Sequence, residues 1–357
     1  MNAPFSIATA SIRSADLADI QEAQRIDAYV RAHPDGSPFH LTAWGRAVAK
    51  GCGQRAHCLV AETGSGVLAG VLPLTELRSR LFGRALISNG FAVRGGPLAD
   101  DERVARALVD ASWCMADGLS IPSIELRGPV PESPEWQVID DRYANFSRPL
   151  GQSDEADLLA IPRKQRAEVR RSLGFDLDVT VGQGARERAA HYTVYAESVR
   201  NLGTPVFPRA LFDAVLDGFG EDADILVVRQ QGVPVAAVLS LYHDGVVMPY
   251  WGGGTHAART WRANDRMYYE LMKHARGRGC SHFDFGRSKP GTGAFTFKKN
   301  WGFEPQPLSY AMRTADGAVA REINPLNPKY RLKIAAWQKL PLPIANLVGP
   351  FISRGLG

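Results

Sequence analysis

The sequence predicts an α/β (α+β) protein built twice, as two successive domains that are each a mixed sheet flanked by helices. Three observations carry that prediction. The chain has 357 residues, which is about two domains at roughly 150 residues each. Segments 57–74 (HCLVAETGSGVLAGVLPL) and 224–245 (DILVVRQQGVPVAAVLSLYHDG) both read as strand, glycine turn, strand, since apolar, β-branched runs flank a residue that tolerates positive φ. Each hairpin is then followed by a helix and a further strand, in the same order. The offsets agree: Leu59 to Leu226 is 167 residues, and Glu125 to Asp284 is 159. Matching order at near-constant spacing points to duplication rather than chance.

In the first half the helix falls at about 101–119 (DERVARALVDASWCMADGL) and the strand at SIELRG. Segment 153–175 (SDEADLLAIPRKQRAEVRRSLGF) is helix-like and opens the second half. It gathers Arg163, Lys164, Arg166, Arg170 and Arg171 against one nearby acid, Glu168. Segment 195–212 (YAESVRNLGTPVFPRALF) reads as a helix carrying Tyr195 and Arg200, a loop with Gly203 and Pro205, and a second helix after Pro208. In VVMPYWGGGTH (246–256) a strand delivers Tyr250 and Trp251 into three consecutive glycines. A helix over about 261–279 and the strand HFDFG complete the second copy. The domains are therefore expected at 1–150 and 151–322, with a basic, apolar C-terminal tail at 323–357.

Composition narrows the function classes. Hydrophobic residues make up 45 % and charged residues 22 %, which excludes collagenous, low-complexity and wholly disordered chains. A net charge of +5 does not by itself mark a DNA-binding protein. The residues MNAPFSIATASIRSADL lack a basic stretch followed by an apolar core, so no signal peptide is read. No run approaches the ~18 apolar residues of a membrane span. The cysteines show no C-x-x-C pairing and read as reduced thiols of a cytoplasmic protein. After Glu322 no acid occurs through residue 357, while Lys329, Arg331, Lys333, Lys339 and Arg354 interleave with Trp337, Leu347 and Phe351. Such a segment suits peripheral contact with an anionic membrane through residues 329–354, at the inner face of the cytoplasmic membrane. Against that, Pro341, Pro343 and Pro350 interrupt a long amphipathic helix and favour packing back on the body.

The candidate chemistry concentrates in FDFGRSKPGTGAFTFKKNWGFEP (283–305). A strand brings Asp284 to its end, as a general base or as a strand-end cap. Gly286, Gly291 and Gly293 enclose Arg287, Ser288 and Lys289, and a glycine-rich turn lets backbone N–H groups approach an anion or a carbonyl. Lys298, between Phe297 and Trp301, is placed to stabilise negative charge in a shielded site. Tyr250 is a hydrogen-bond donor or proton relay, or else a half-buried sheet tyrosine. The basic run can hold phosphate, with a solvated helix face as the alternative. There is no G-x-S-x-G, H-E-x-x-H, Walker A or strand-linked G-x-G-x-x-G motif, and the histidines are scattered. A metal site, a P-loop and a Rossmann dehydrogenase are not expected.

The order of a basic helix, an R-x-x-G-x-P loop, a Y-x-G-G strand, a helix, F-D-F-G and F-K-x-x-[FW]-G-F resembles the second domain of the FemAB-type aminoacyl transferases. The subgroup it looks most like is the FemAB-related proteins of exosortase/PEP-CTERM exopolysaccharide systems. The likeness is strong over about 155–312 and weaker over 1–150. It implies two tandem GNAT-like acyltransferase domains with a cleft between them. It implies charged tRNA as acyl donor, with acyl-CoA as the alternative, and an envelope or polysaccharide precursor as acceptor; no bound cofactor is expected. The family's functional Phe-Lys pair matches Phe297 and Lys298, its Tyr-x-Gly tyrosine matches Tyr250, and its pre-loop arginine matches Arg200. Where peptidoglycan-directed members carry Arg and Tyr, this chain has Phe207 and Leu211, and the R/Q-x-x-G-x-G/A loop that holds CoA is missing.

The expectation is thus a cytoplasmic acyltransferase. Lys298, Tyr250 and Asp284 stand as catalytic candidates. Arg200, Phe297, Trp301, Arg287, Ser288, Lys289, Gly291, Gly293, Arg163, Arg166 and Arg170 stand as binding candidates. The rivals are a CoA-dependent N-acyltransferase acting on a small amine or sugar, and a non-catalytic module that docks at the membrane.

Overall fold

The computed structural model describes residues 10–318 and 328–357, with backbone only at 328–330. The first nine residues, the expected boundary at 322/323 and the Lys329 side chain lie outside the described residues. The chain divides into two compact units.

The first unit runs to Ile139 and takes in the described residues 309–318, together with Gly357. Its sheet has the order Ser11–Ser14, Arg55–Glu62, Leu68–Ser79, Gly83–Ser88, Ser123–Leu126, Tyr310–Thr314, Gln137–Ile139. Neighbours are antiparallel except Gly83–Ser88 and Ser123–Leu126, which the helix Glu102–Gly118 connects as a parallel pair. That helix starts where Asp101 accepts the Val104 N–H at 2.9 Å. Its buried face, Val104, Leu108, Val109 and Ala116, meets Leu72, Leu74, Leu86, Ile124 and Leu126 of the sheet.

The second unit comprises 140–308 and the described tail through Leu356. Its sheet has the order Asp178–Gly182, Ala223–Gln230, Val233–His243, Val246–Gly254, His282–Asp284, Ser147–Pro149. Here too the single parallel pair, Val246–Gly254 with His282–Asp284, is joined by a helix, Ala263–Gly277. Leu226, Val228, Ala236 and Val238 pack with Met267, Leu271 and Met272 of that helix. The helix Ala185–Asn201 covers the opposite face, where His191 Nε2 lies 2.7 Å from the Trp251 carbonyl.

Both hairpins, the long helix of the first half and the strands that close each copy stand where the sequence places them. Five readings change. The units part at 139/140 rather than 150/151, because strand Ser147–Pro149 pairs with His282–Asp284. Strand Tyr310–Thr314 returns to the first unit, between Ser123–Leu126 and Gln137–Ile139. The basic segment is two helices, Asp154–Ala160 and Arg163–Leu173, separated at Pro162. The helix expected from 261 is interrupted at Arg262, whose φ of 52° breaks the backbone repeat. Finally, strand Val246–Gly254 continues through its three glycines instead of ending at them. A Cβ at Gly252 would stand 2.8 Å from Val238, one at Gly253 2.2 Å from the Ser198 hydroxyl, and one at Gly254 2.5 Å from Asn264. These glycines let the helices approach both faces of the strand end.

The described tail forms helices Pro328–Gln338 and Leu342–Ser353. It packs on the second unit, as the prolines suggest. Arg200 Nη1 donates to the Gln338 carbonyl at 3.0 Å, and Ser353 Oγ donates to the Val206 carbonyl at 2.7 Å.

Candidate active site

A wedge opens at the parallel pair of the second unit. Val246–Gly254 and His282–Asp284 are paired only at Val246–His282 and Val247–Phe283. Beyond that, among the described residues, the first strand continues to Gly254 with no strand partner on this edge, while the second ends at Asp284. On the other edge, Leu239 pairs with Trp251 and Ser240 with Pro249, so Tyr250 is an extra residue. This is a β-bulge, which bends the strand and re-aims the bulged side chain. Pro249 lies beside it, and having no N–H it cannot carry a regular ladder bond there. Tyr250 is half-buried, with its ring 4.8 Å from that of Trp251.

Lys298 lies on the helix Gly293–Asn300 and is only 9 % exposed. Its Nζ donates to three successive backbone carbonyls, Phe285 at 2.7 Å, Gly286 at 3.0 Å and Arg287 at 2.9 Å. An ammonium has three donors, and all three are used. Lys298 therefore fastens the turn after strand His282–Asp284 and brings a positive charge to it. Burial pulls its pKa down from the usual lysine value to about 7; the Asp284 carboxylate opposes that shift and the Arg287 guanidinium adds to it. The Phe146 ring faces the ammonium at 5.5 Å.

Asp284 acts as the cap of the strand end. One carboxylate oxygen accepts the Gly286 N–H at 2.7 Å and the other accepts Asn145 Nδ2 at 3.2 Å. Gly286 follows at φ 67°, the left-handed geometry this turn needs. Asn145 carried no signal in the sequence, because its partner lies 139 residues away. Its Oδ1 and the Ser288 Oγ are buried with no hydrogen-bonding partner among the described residues. A buried acceptor left so costs about 1–3 kcal/mol unless a ligand or water supplies a donor.

The other predicted residues separate into two groups. Phe297 and Trp301 join Phe285 and Tyr268 in an aromatic support beneath the turn, with Trp301 fully buried. Arg287 and Lys289 lie over the Tyr143 ring, at 4.7 and 5.9 Å. Gly291, at φ 80°, leads into Thr292, which caps the helix by accepting the Phe295 N–H, and Gly293 is that helix's first residue. These residues converge on Lys298. Arg200 does not: it sits at the end of helix Ala185–Asn201 and bonds to the tail. Arg163 and Arg170 are exposed, whereas Arg166 is half-buried and donates to the Ile161 carbonyl at 3.0 Å. At the positions of the expected acceptor contacts, Leu211 is buried and Phe207 packs near Trp251.

Residues 161–299 match the family model described as an acetyltransferase (GNAT) domain, a stretch that includes the basic helix, the bulge, Asp284 and Lys298. No curated protein matches the sequence. Among solved structures the chain is similar to FemX at 17 % identity and TM-score 0.63, over 87 % of this chain and 98 % of that one. It is similar to the C-terminal domain of a putative lysylphosphatidylglycerol synthetase of Agrobacterium fabrum at 14 % and 0.57, over 84 % and 93 %. It is also similar to a tandem GNAT protein of the clavulanic acid biosynthesis pathway at 10 % and 0.54, over 87 % and 100 %. At such identities the likeness is one of fold, and the fold is a mixed α/β arrangement of two tandem GNAT-like domains.

Proposed function

We propose that the protein is an acyltransferase of FemAB type, moving an aminoacyl or acyl group from an activated ester to an amine or hydroxyl of a cell-envelope or exopolysaccharide precursor. The observation that carries the reading is a parallel strand pair left unfinished, with a bulge at Tyr250 on one strand and a turn fastened by a buried lysine after the other, within the stretch that matches the acetyltransferase domain. Acyl transfer begins when the acceptor's lone pair attacks the acyl carbonyl carbon. A C–N or C–O bond forms, and the carbonyl oxygen gains negative charge. Collapse breaks the donor's ester C–O bond, and the acceptor's proton passes to the departing hydroxyl. The Lys298 ammonium spends its three donors on the turn's carbonyls, so it stabilises the oxyanion by its charge alone, across the turn it fastens and shielded from water. Tyr250 orients the acceptor or relays its proton. Asp284 and Asn145 hold the turn in place, and Arg163 and Arg170 attract donor phosphate.

The match to an acetyltransferase domain supports a second reading, with acyl-CoA as donor and the C–S bond as the one broken. Binding of charged tRNA, uncharged tRNA and acyl-CoA at two salt concentrations separates the two. Salt-sensitive preference for charged tRNA is the expected result. Preference for acyl-CoA transfers the reaction to the second reading, and unchanged turnover in Lys298→Ala would sink both.

A further inference from the structure

The helix Leu342–Ser353 has two faces of opposite fate. Ala345, Gly349 and Ser353, four residues apart, are buried against the second unit. Gly349 permits the contact, since a Cβ there would stand 3.1 Å from the Val206 backbone nitrogen. The opposite face presents Ile344, Leu347, Val348 and Phe351 at helical spacing to solvent, with Leu347 70 % and Phe351 65 % exposed. Together with Leu332, these are five of the fourteen large apolar side chains that stand exposed among the described residues. The four on Leu342–Ser353 form one stripe, which scattered exposed leucines do not. The Arg354 guanidinium lies 5.6 Å from the Phe351 ring centroid, Arg331, Lys333 and Lys339 are exposed on the preceding helix and the link that follows it, and the sequence has no acid between Glu322 and residue 357.

We propose that this face docks on an anionic lipid bilayer, with the helix lying in the plane of the interface. The apolar stripe enters the acyl boundary while the surrounding cations meet lipid phosphate. Charge complementarity selects this occupant. A second copy of the chain would bring the same acid-free surface, whereas an anionic bilayer answers both the stripe and its cationic border. The helix is too short to span, and no helix of the described residues is long and apolar enough to cross a membrane. The inner face of the helix holds Val206, whose neighbour Phe207 packs near Trp251 beside the bulge. The proposal rests on this surface alone and is independent of the transfer reaction.

The test is co-sedimentation of the full chain with vesicles of phosphatidylcholine, alone or with about one third phosphatidylglycerol. Binding to the anionic vesicles is expected, falling as salt is raised. Leu347→Asp with Phe351→Asp should reduce it more than tenfold, with the melting temperature unchanged because both side chains face solvent. Lys333→Gln with Lys339→Gln should reduce it about fivefold per charge. Absence of binding at low salt, or binding that the aspartate pair leaves intact, overturns the proposal. So does a concentration-dependent dimer that the aspartate pair abolishes, which would make a second copy the occupant.

Discussion

The two units use the same connection, a parallel strand pair joined by a helix, and finish it differently. In the first unit the pair is bonded to its end, Leu86 with Ile124, Ile87 with Glu125 and Ser88 with Leu126. The segment beyond is held from several sides. Buried Arg127 donates to the Asn89 carbonyl at 3.0 Å and the Ala92 carbonyl at 2.6 Å, and Trp44 Nε1 donates to the Gly90 carbonyl at 2.9 Å. In the second unit pairing stops after Val247 and Phe283, a bulge follows at Tyr250, and a buried lysine replaces the arginine as the cation behind the turn. One sheet end is closed by protein groups; the other is left as a wedge. The same frame is built in both copies and only the second leaves its parallel pair unfinished, which is where the proposed chemistry is placed.

The largest effect that tests this contrast is on turnover. Lys298→Met should lower kcat by about a hundredfold or more, the scale for losing preorganised charge at an oxyanion. In Arg127→Met the loss should fall on stability instead: about 3 kcal/mol, read by denaturant unfolding, because two buried carbonyls and Glu125 lose their partner. Turnover per folded molecule should be unchanged. If Arg127→Met abolishes turnover in folded protein, the first unit is not merely structural and the contrast breaks.

The next effect concerns the glycines that carry the open strand. Gly253→Ala puts a methyl group where the Ser198 hydroxyl stands. Overpacking at such a contact costs about 1–3 kcal/mol, and Ser198→Gly in the same chain should recover part of it. A neutral Gly253→Ala would mean that the helix Ala185–Asn201 can move off the strand.

What the sequence revealed follows from range. The hairpins at 57–74 and 224–245 and the helix near 101–119 rest on neighbouring residues, and they were legible to within a few positions. Lys298, Asp284 and Tyr250 were also visible as candidates, since glycine, cation and aromatic residues crowd around them. Their partners were not. Asn145 reaches Asp284 only because Ser147–Pro149 crosses to the far edge of the second sheet. Tyr310–Thr314 looks like a continuation of the second half until its register with Ile124 and Leu126 is known. The bulge is a property of two strands in register, and no single strand announces it.

The effect most specific to the open unit, and the smallest within any one pH unit, is a pH dependence. Lys298 is charged below about 7 and loses its proton above it. If that charge stabilises the oxyanion, kcat falls about tenfold per pH unit above this point. Stability should move the other way. The unfolded chain keeps a lysine protonated to about 10.4, so between these limits it binds more protons than the folded chain, and unfolding becomes less favourable as pH rises. Falling turnover with rising stability distinguishes titration of Lys298 from denaturation, in which both would fall together. Lys298→Arg, whose guanidinium stays charged in this range, should move the falling limb of activity upward. Lys298→Met should remove the stability gain. A wild-type profile flat from neutral pH to about 9 would leave Lys298 as a fastener of the turn alone, making the wedge geometry rather than its charge the difference between the two units.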